Sequence, residues 1–200
     1  MPFWSVKRRI RPDAYEKRVM VEMMQVHLKN GQQLIIRKAL PDDARDIIAY
    51  IDLISHETDN LTFGPGEFGI SEEQESKFIE GLLESDNQLM ILAFIDNKLV
   101  AQLTFMGGSR PRIRHSGELG VSVLQEYWRR GIGAELIKCL LAWARETGII
   151  RKVNLRVRSD NTGAIRLYES LGFVYEGKTT REFSVDGTFY DSIHMGMEIN

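Results

Sequence analysis

The chain has 200 residues, 43% hydrophobic and 27% charged, which suits one globular domain and excludes a disordered or collagen-like chain. Its 26 basic and 28 acidic residues leave a formal net charge of −2, so there is no bulk drive toward nucleic acid or anionic lipid. One cysteine excludes an internal disulfide and a cysteine-based zinc site.

The first residues carry a basic cluster, Lys7, Arg8, Arg9 and Arg11, read as a solvated terminus. No apolar core follows it, so it does not read as a secretory signal. No stretch approaches the ~20 apolar residues of a membrane span. The expected location is therefore cytoplasmic. From Met24 the pattern predicts a β-hairpin around Asn30-Gly31, with a type I′ turn. Its second arm, Gln33–Ala39, is expected to open the main sheet. Pro41-Asp42-Asp43 starts a helix, because proline suits a first turn and acids suit the dipole. Ala44, Ile47, Ile48, Ile51 and Ile54 share its apolar face. A Gly-, Pro- and Phe-rich loop, Leu61 to Ile70, leads to a second helix whose start is a Ser71/Gln74 capping box.

Strands are predicted at Gln88–Ile95 and Lys98–Met106, joined at Asp96-Asn97, and at Gly117–Leu124 after an arginine-bearing loop. Gly131–Thr147 is the clearest helix, stopped by Gly148. Lys152–Arg158 alternates as a strand, and Thr162–Leu171 is a short helix ended by Gly172. Two last strands flank Asp186-Gly187. The expected architecture is α/β (α+β): a mixed, mostly antiparallel sheet of about seven strands flanked by four helices. The strands around the Gly131–Thr147 helix should be parallel. Residues 1–32 form an extension with a hairpin arm, and 33–200 form the main domain.

The most informative segment runs from Val121 to Ala134. It passes from a strand through a loop with two glycines into a helix. Free amides and the positive dipole end at such a helix start favour an anion, and Arg129 and Arg130 add charge beside it. Gly133 is followed by Ala-Glu, so this is not a Walker loop. Leu136 stands where a dinucleotide fingerprint needs its third glycine. A plain tight turn remains the ordinary alternative.

The strand GVSV, the loop WRRGIGA with its helix, the strand VNLRVR, and then Asn161, Ala164, Leu167-Tyr168 and Gly172-Phe173 together resemble the GCN5-related N-acetyltransferase (GNAT) family. The family's acyl-CoA loop is Arg/Gln-x-x-Gly-x-Gly/Ala. Its last four positions match Arg130, Gly131, Ile132 and Gly133, whereas Trp128 departs at the first. Tyr127-Trp128 is similar to the ribosomal-protein N-acetyltransferase branch.

The resemblance implies an acetyl-CoA-dependent N-acetyltransferase that needs no metal and no covalent step. Acetyl-CoA would lie where two central parallel strands splay. Its pantetheine would pair with Val121, Ser122 and Val123, and its pyrophosphate would sit on the amides of Arg129, Arg130, Gly131, Ile132, Gly133 and Ala134. Asn161 is a natural helix N-cap and, by the resemblance, a neighbour of the CoA arm. A protonated amine must lose a proton before it attacks a thioester. Glu118, in the Glu-x-x-Val-x-Val arrangement of phosphinothricin-type acetyltransferases, is the implied base; a salt-bridged surface glutamate is the alternative. Tyr168 matches the family's acid for the CoA thiolate, with a core tyrosine as the alternative. An oxyanion-binding amide is expected at Val121 or a neighbour.

The remaining residues are weaker candidates. Cys139 reads as a buried structural thiol. His27, His56, His115 and His194 have no metal spacing. Asp191 and His194 alternate on the last strand with Tyr190, so that one face could touch the acceptor pocket, and Glu67 could meet a cationic amine. Arg110, Arg112 and Arg114 read as a solvated basic strip. The expected acceptor is a small amine, with a protein N-terminal amine as the alternative. A non-catalytic acyl-CoA sensor on the same fold is the competing function. No nucleic-acid or membrane partner is expected, and a homodimer is compatible with the family without being demanded by any residue.

Overall fold

The computed structural model describes residues 23–200, so the basic cluster at Lys7–Arg11 lies outside the described residues. Strands β1 (Met23–His27) and β2 (Gln33–Lys38) pair antiparallel as the expected hairpin. Its turn is not the expected type I′. Gly31 N–H donates to Leu28 O, and Gly31 alone has a left-handed φ, +85°, while Asn30 does not. That is a type I turn followed by a glycine bulge, the usual solution for a longer hairpin loop. The left-handed pair occurs instead at Asp96-Asn97 and at Asp186-Gly187, which close the two later hairpins.

Pro41–Asp43 is a 3₁₀ turn that leads into α1 (Ala44–Ser55). Asp43 accepts two bonds from Arg37, each 2.6 Å, and one from Leu40 N–H at 2.8 Å. Arg37 also lies over the Phe94 ring at 4.5 Å. This largely buried pair ties the end of β2 to the start of α1. Asp43→Ala strands the guanidinium and is expected to cost about 3 kcal/mol, the range for breaking a buried pair from one side. Urea denaturation measures it; a loss below about 1 kcal/mol would mark the pair as an ordinary surface bridge.

The other elements are α2 (Glu72–Glu84), β3 (Gln88–Ile95), β4 (Lys98–Gly107), β5 (Ser116–Val123), α3 (Ile132–Thr147), β6 (Lys152–Arg158), α4 (Thr162–Ser170), β7 (Val174–Val185) and β8 (Thr188–Glu198). The Ser71/Gln74 capping box starts α2 as expected. All eight strands form one sheet, in the order β1-β2-β3-β4-β5-β6-β8-β7. β5 and β6 are its parallel pair; the other pairs are antiparallel. The hairpin arm supplies the eighth strand by pairing with β2.

Strand alternation divides the core in two. Ile91 and Ala93 of β3 join Leu103, Phe105, Val153, Leu155 and the inner faces of α3 and α4. Met90 and Leu92 instead join α1 and α2 through Ile47, Ile51, Ile54 and Ile79. Successive side chains of a strand point to opposite faces, so the sheet separates an α3/α4 layer from an α1/α2 layer. Among the described residues no helix is long and apolar enough to cross a membrane.

Candidate active site

β5 and β6 pair over only three positions, Ser116↔Lys152, Gly117↔Val153 and Glu118↔Asn154. Beyond them β5 continues beside β4 as far as Val123, and β6 beside β8 as far as Arg158. The two strands therefore part, and the β6-facing edge of Leu119–Val123 has no strand partner. An extended chain with amide groups could pair there as an added strand. Val121 and Val123 face the α3/α4 layer, whereas Ser122 faces α1 and shares a 2.8 Å bond with the buried Tyr50 hydroxyl. Burial raises the pKa of Tyr50, so it stays neutral and acts as a fixed polar group.

At the end of β5 the chain turns sharply into α3. Trp128 Nε1 donates to Val123 O at 2.6 Å and closes the corner. Arg129 and Gly131 both have left-handed φ, +60° and +86°, and Arg130 between them does not. Alternating handedness turns successive amides toward one point, the geometry of an anion nest. The first amide to find a backbone acceptor is Glu135 N–H, on Gly131 O at 3.1 Å. Among the described residues the amides of Arg129–Ala134 have no acceptor, and they lie at the positive end of a 16-residue helix. A Cβ at Gly131 would meet open space, so this glycine serves the backbone conformation. A Cβ at Gly133 would come within 3.3 Å of Leu167 on α4, so that glycine lets the helices approach closely. The Arg130 guanidinium turns away from the nest. It donates to Gln32 Oε1 at 2.7 Å and Glu126 O at 2.6 Å, and lies over the Tyr127 ring.

Asn161 caps α4: its Oδ1 accepts from Ala164 N–H at 3.1 Å. Two turns on from Asn161, Tyr168 is 7% exposed and packs edge-on against Phe173. Burial pushes its hydroxyl up to about 12. That hydroxyl has no hydrogen bond to a described residue, yet it is not sealed in, because Gln102 Oε1 is the sole fully buried side-chain atom without a partner among them.

On the α1/α2 side, Glu118 sits at the last paired step before the strands part. Its Oε1 accepts from Arg156 Nε at 2.8 Å. Arg156 Nη1 donates to Glu182 Oε1 at 2.7 Å, and Glu182 also accepts from Ser192 Oγ. The Ser192 hydroxyl and the Arg156 guanidinium hold the Glu182 carboxyl below the usual carboxylate range. His194 stands opposite Arg156 in the register and shares a 2.7 Å bond with Thr179 Oγ1.

Residues 51–173 match the model of the acetyltransferase (GNAT) family. The chain belongs to the GNAT family. It is 29% identical over 176 residues, 87% of this chain and 94% of the relative, to the SPbeta prophage-derived uncharacterized N-acetyltransferase YokL of Bacillus subtilis strain 168. It is 27% identical over 116 residues to the L-amino acid N-acetyltransferase AaaT of Escherichia coli K12, which spans 58% of this chain and 72% of that protein. The crystal structure of a GNAT-family acetyltransferase from Streptococcus pneumoniae has a TM-score of 0.81 at 34% identity, over 83% of this chain and 99% of that one.

Within this GNAT chain the remaining candidates are accounted for locally. Glu67 Oε2 accepts from Gly64 N–H at 2.7 Å and staples its own loop. Asp191 and His194 do not share a face as expected: three residues apart on a strand of period two, they point oppositely. Asp191 is tied to Lys178 and to Arg181 N–H, while His194 joins the Arg156 cluster's side. Arg114 is held by Asp86 at 2.7 Å, and Arg110 and Arg112 are exposed. Cys139 is buried in α3, and burial pushes its thiol up to about 12, which disfavours the thiolate form. Among the described residues no group of His, Cys, Asp and Glu could hold a metal ion. Three polar residues beside the splay carried no role in the sequence reading: Tyr50, bonded to Ser122, and Arg156 and Glu182, linked to Glu118. Arg156 carried a signal, as a polar residue alternating with Leu155 and Val157 beside the splay.

Proposed function

We propose that this N-acetyltransferase moves an acetyl group from acetyl-CoA to a small primary amine, by direct attack within a ternary complex. The observation that carries this reading is the open β5 edge ending in a nest of unpaired amides at the start of α3. An extended pantetheine suits the edge at Val121–Val123, and a pyrophosphate suits the amides of Arg129–Ala134. Asn161 sets the start of α4 and so the place of Tyr168. In this reading residues 33–200 are the transferase domain, and the preceding arm is an addition to its sheet.

Glu118 first takes a proton from the acceptor's ammonium, directly or through one water, and releases it to solvent. The neutral amine nitrogen then attacks the thioester carbonyl carbon, a C–N bond forms, and the nitrogen sheds its second proton to solvent. An amide on the open edge, at or near Val121, stabilises the oxyanion. As the tetrahedral intermediate collapses the C–S bond breaks, Tyr168 gives its proton to the departing sulfur, and the phenolate is reprotonated from solvent. The name of the Escherichia coli relative supports a small amine as acceptor.

Calorimetry with acetyl-CoA tests the reading. Binding with Kd on the order of 1–100 μM is expected, matching common enzyme substrate constants. An absence of binding heat up to about 1 mM overturns it.

A further inference from the structure

The α1/α2 side of the splay presents opposite charges side by side. Glu118 and Arg156 meet at 2.8 Å across the step where β5 and β6 part, and both side chains are nearly half exposed, at 48% and 43%. Arg156 spends Nε on Glu118 and one Nη1 N–H on Glu182. A guanidinium has five N–H donors, so three stay open, both on Nη2 among them. Glu182 cannot swing away cheaply, because it is only 22% exposed and is also held by Ser192. Arg156 is thus a fixed, solvent-facing fork, backed by acids on two sides, next to the carboxylate to which we give the base role.

We infer that Arg156 reads a carboxylate on the acceptor, so that the preferred acceptor is a zwitterion whose ammonium meets Glu118 and whose carboxylate meets the open Nη2 edge. This rests on the transferase reading above and deepens it. Guanidinium and carboxylate match as planar partners, and the pairing adds geometry as well as charge. A zwitterion laid against an ion pair satisfies both of its poles. A polyamine would satisfy Glu118 and then bring a second cation toward Arg156. A protein N-terminus has an amide where the zwitterion has its carboxylate, and it leaves the fork unused.

The test is a panel of the standard L-amino acids, the carboxamide of the best of them, and spermidine, assayed by CoA release. The carboxamide stands for a peptide N-terminus. The free acid is expected to exceed its carboxamide in kcat/KM by roughly 10- to 100-fold, the weight of a hydrogen bond to a charged group. In Arg156→Gln that ratio falls toward one, and Arg156→Lys, which keeps the charge but not the fork, lies between. The change appears mainly in acceptor KM, and the Kd for acetyl-CoA stays as in the wild type, which also reports an intact fold. A wild-type enzyme that prefers the carboxamide or spermidine overturns the inference. So does an Arg156→Gln enzyme with the wild-type ratio, or a panel with no acceptor while acetyl-CoA still binds. Failure to bind acetyl-CoA overturns the transferase reading instead.

Discussion

Tyr168→Phe lowers kcat by about 100-fold or more, while KM for acetyl-CoA stays within about twofold; general acid catalysis contributes on this scale. The substitution removes one oxygen and leaves the ring against Phe173, so packing is kept. The hydroxyl is raised to about 12 by burial, and the sign of that shift matters. A raised pKa keeps the group protonated through the whole assay range, and its proton is lost only as pH rises through about 12. Tyr168 therefore adds no alkaline limb to the rate profile below about pH 10. Full proton transfer to a thiolate of pKa ~8.5 would be uphill by roughly 5 kcal/mol, so the proton moves only as the C–S bond gives way. Steady-state CoA release, with a melting curve as control, measures the effect. An unchanged kcat removes Tyr168 from the acid role.

Glu118→Gln lowers kcat/KM by about 100-fold at pH 7 and less at pH 9. The amide oxygen of glutamine can still accept from Arg156 Nε, so the contact survives and only the base is lost. The variant then depends on amine that is already neutral. For an aliphatic amine of pKa ~10.4 that fraction grows about tenfold per pH unit across this range. The wild-type enzyme should level off while the variant keeps climbing. A constant ratio between them from pH 7 to 9, or wild-type activity, excludes Glu118 as the base.

How far the site could be read along the chain depended on the distance its contacts span. Asn161 capping α4 is a contact three residues long, and the Ser71/Gln74 box is another, so local spacing announced both. The turn into α3 was legible because glycines and arginines cluster within a few residues. The Arg130 guanidinium was not: it turns to Gln32, 98 residues away on the β1–β2 hairpin. The type I′ turn expected at Asn30-Gly31 also failed for a reason beyond the dipeptide. The strands stop at His27 and Gln33, which leaves a loop too long for a two-residue turn.

Taken alone, the sequence determined the order of strands and helices, the anion-ready turn between β5 and α3, and the motif that marks the family. Each of these lies within a window where propensity, alternation and capping act between near neighbours. Only the tertiary structure decided where β5 and β6 part, and which charges meet there. Glu118 and Arg156 are 38 residues apart, Arg156 and Glu182 are 26 apart, and Tyr50 and Ser122 are 72 apart. Sheet order and register bring them together, and those follow from burying two apolar layers against one twisted sheet rather than from any local pattern.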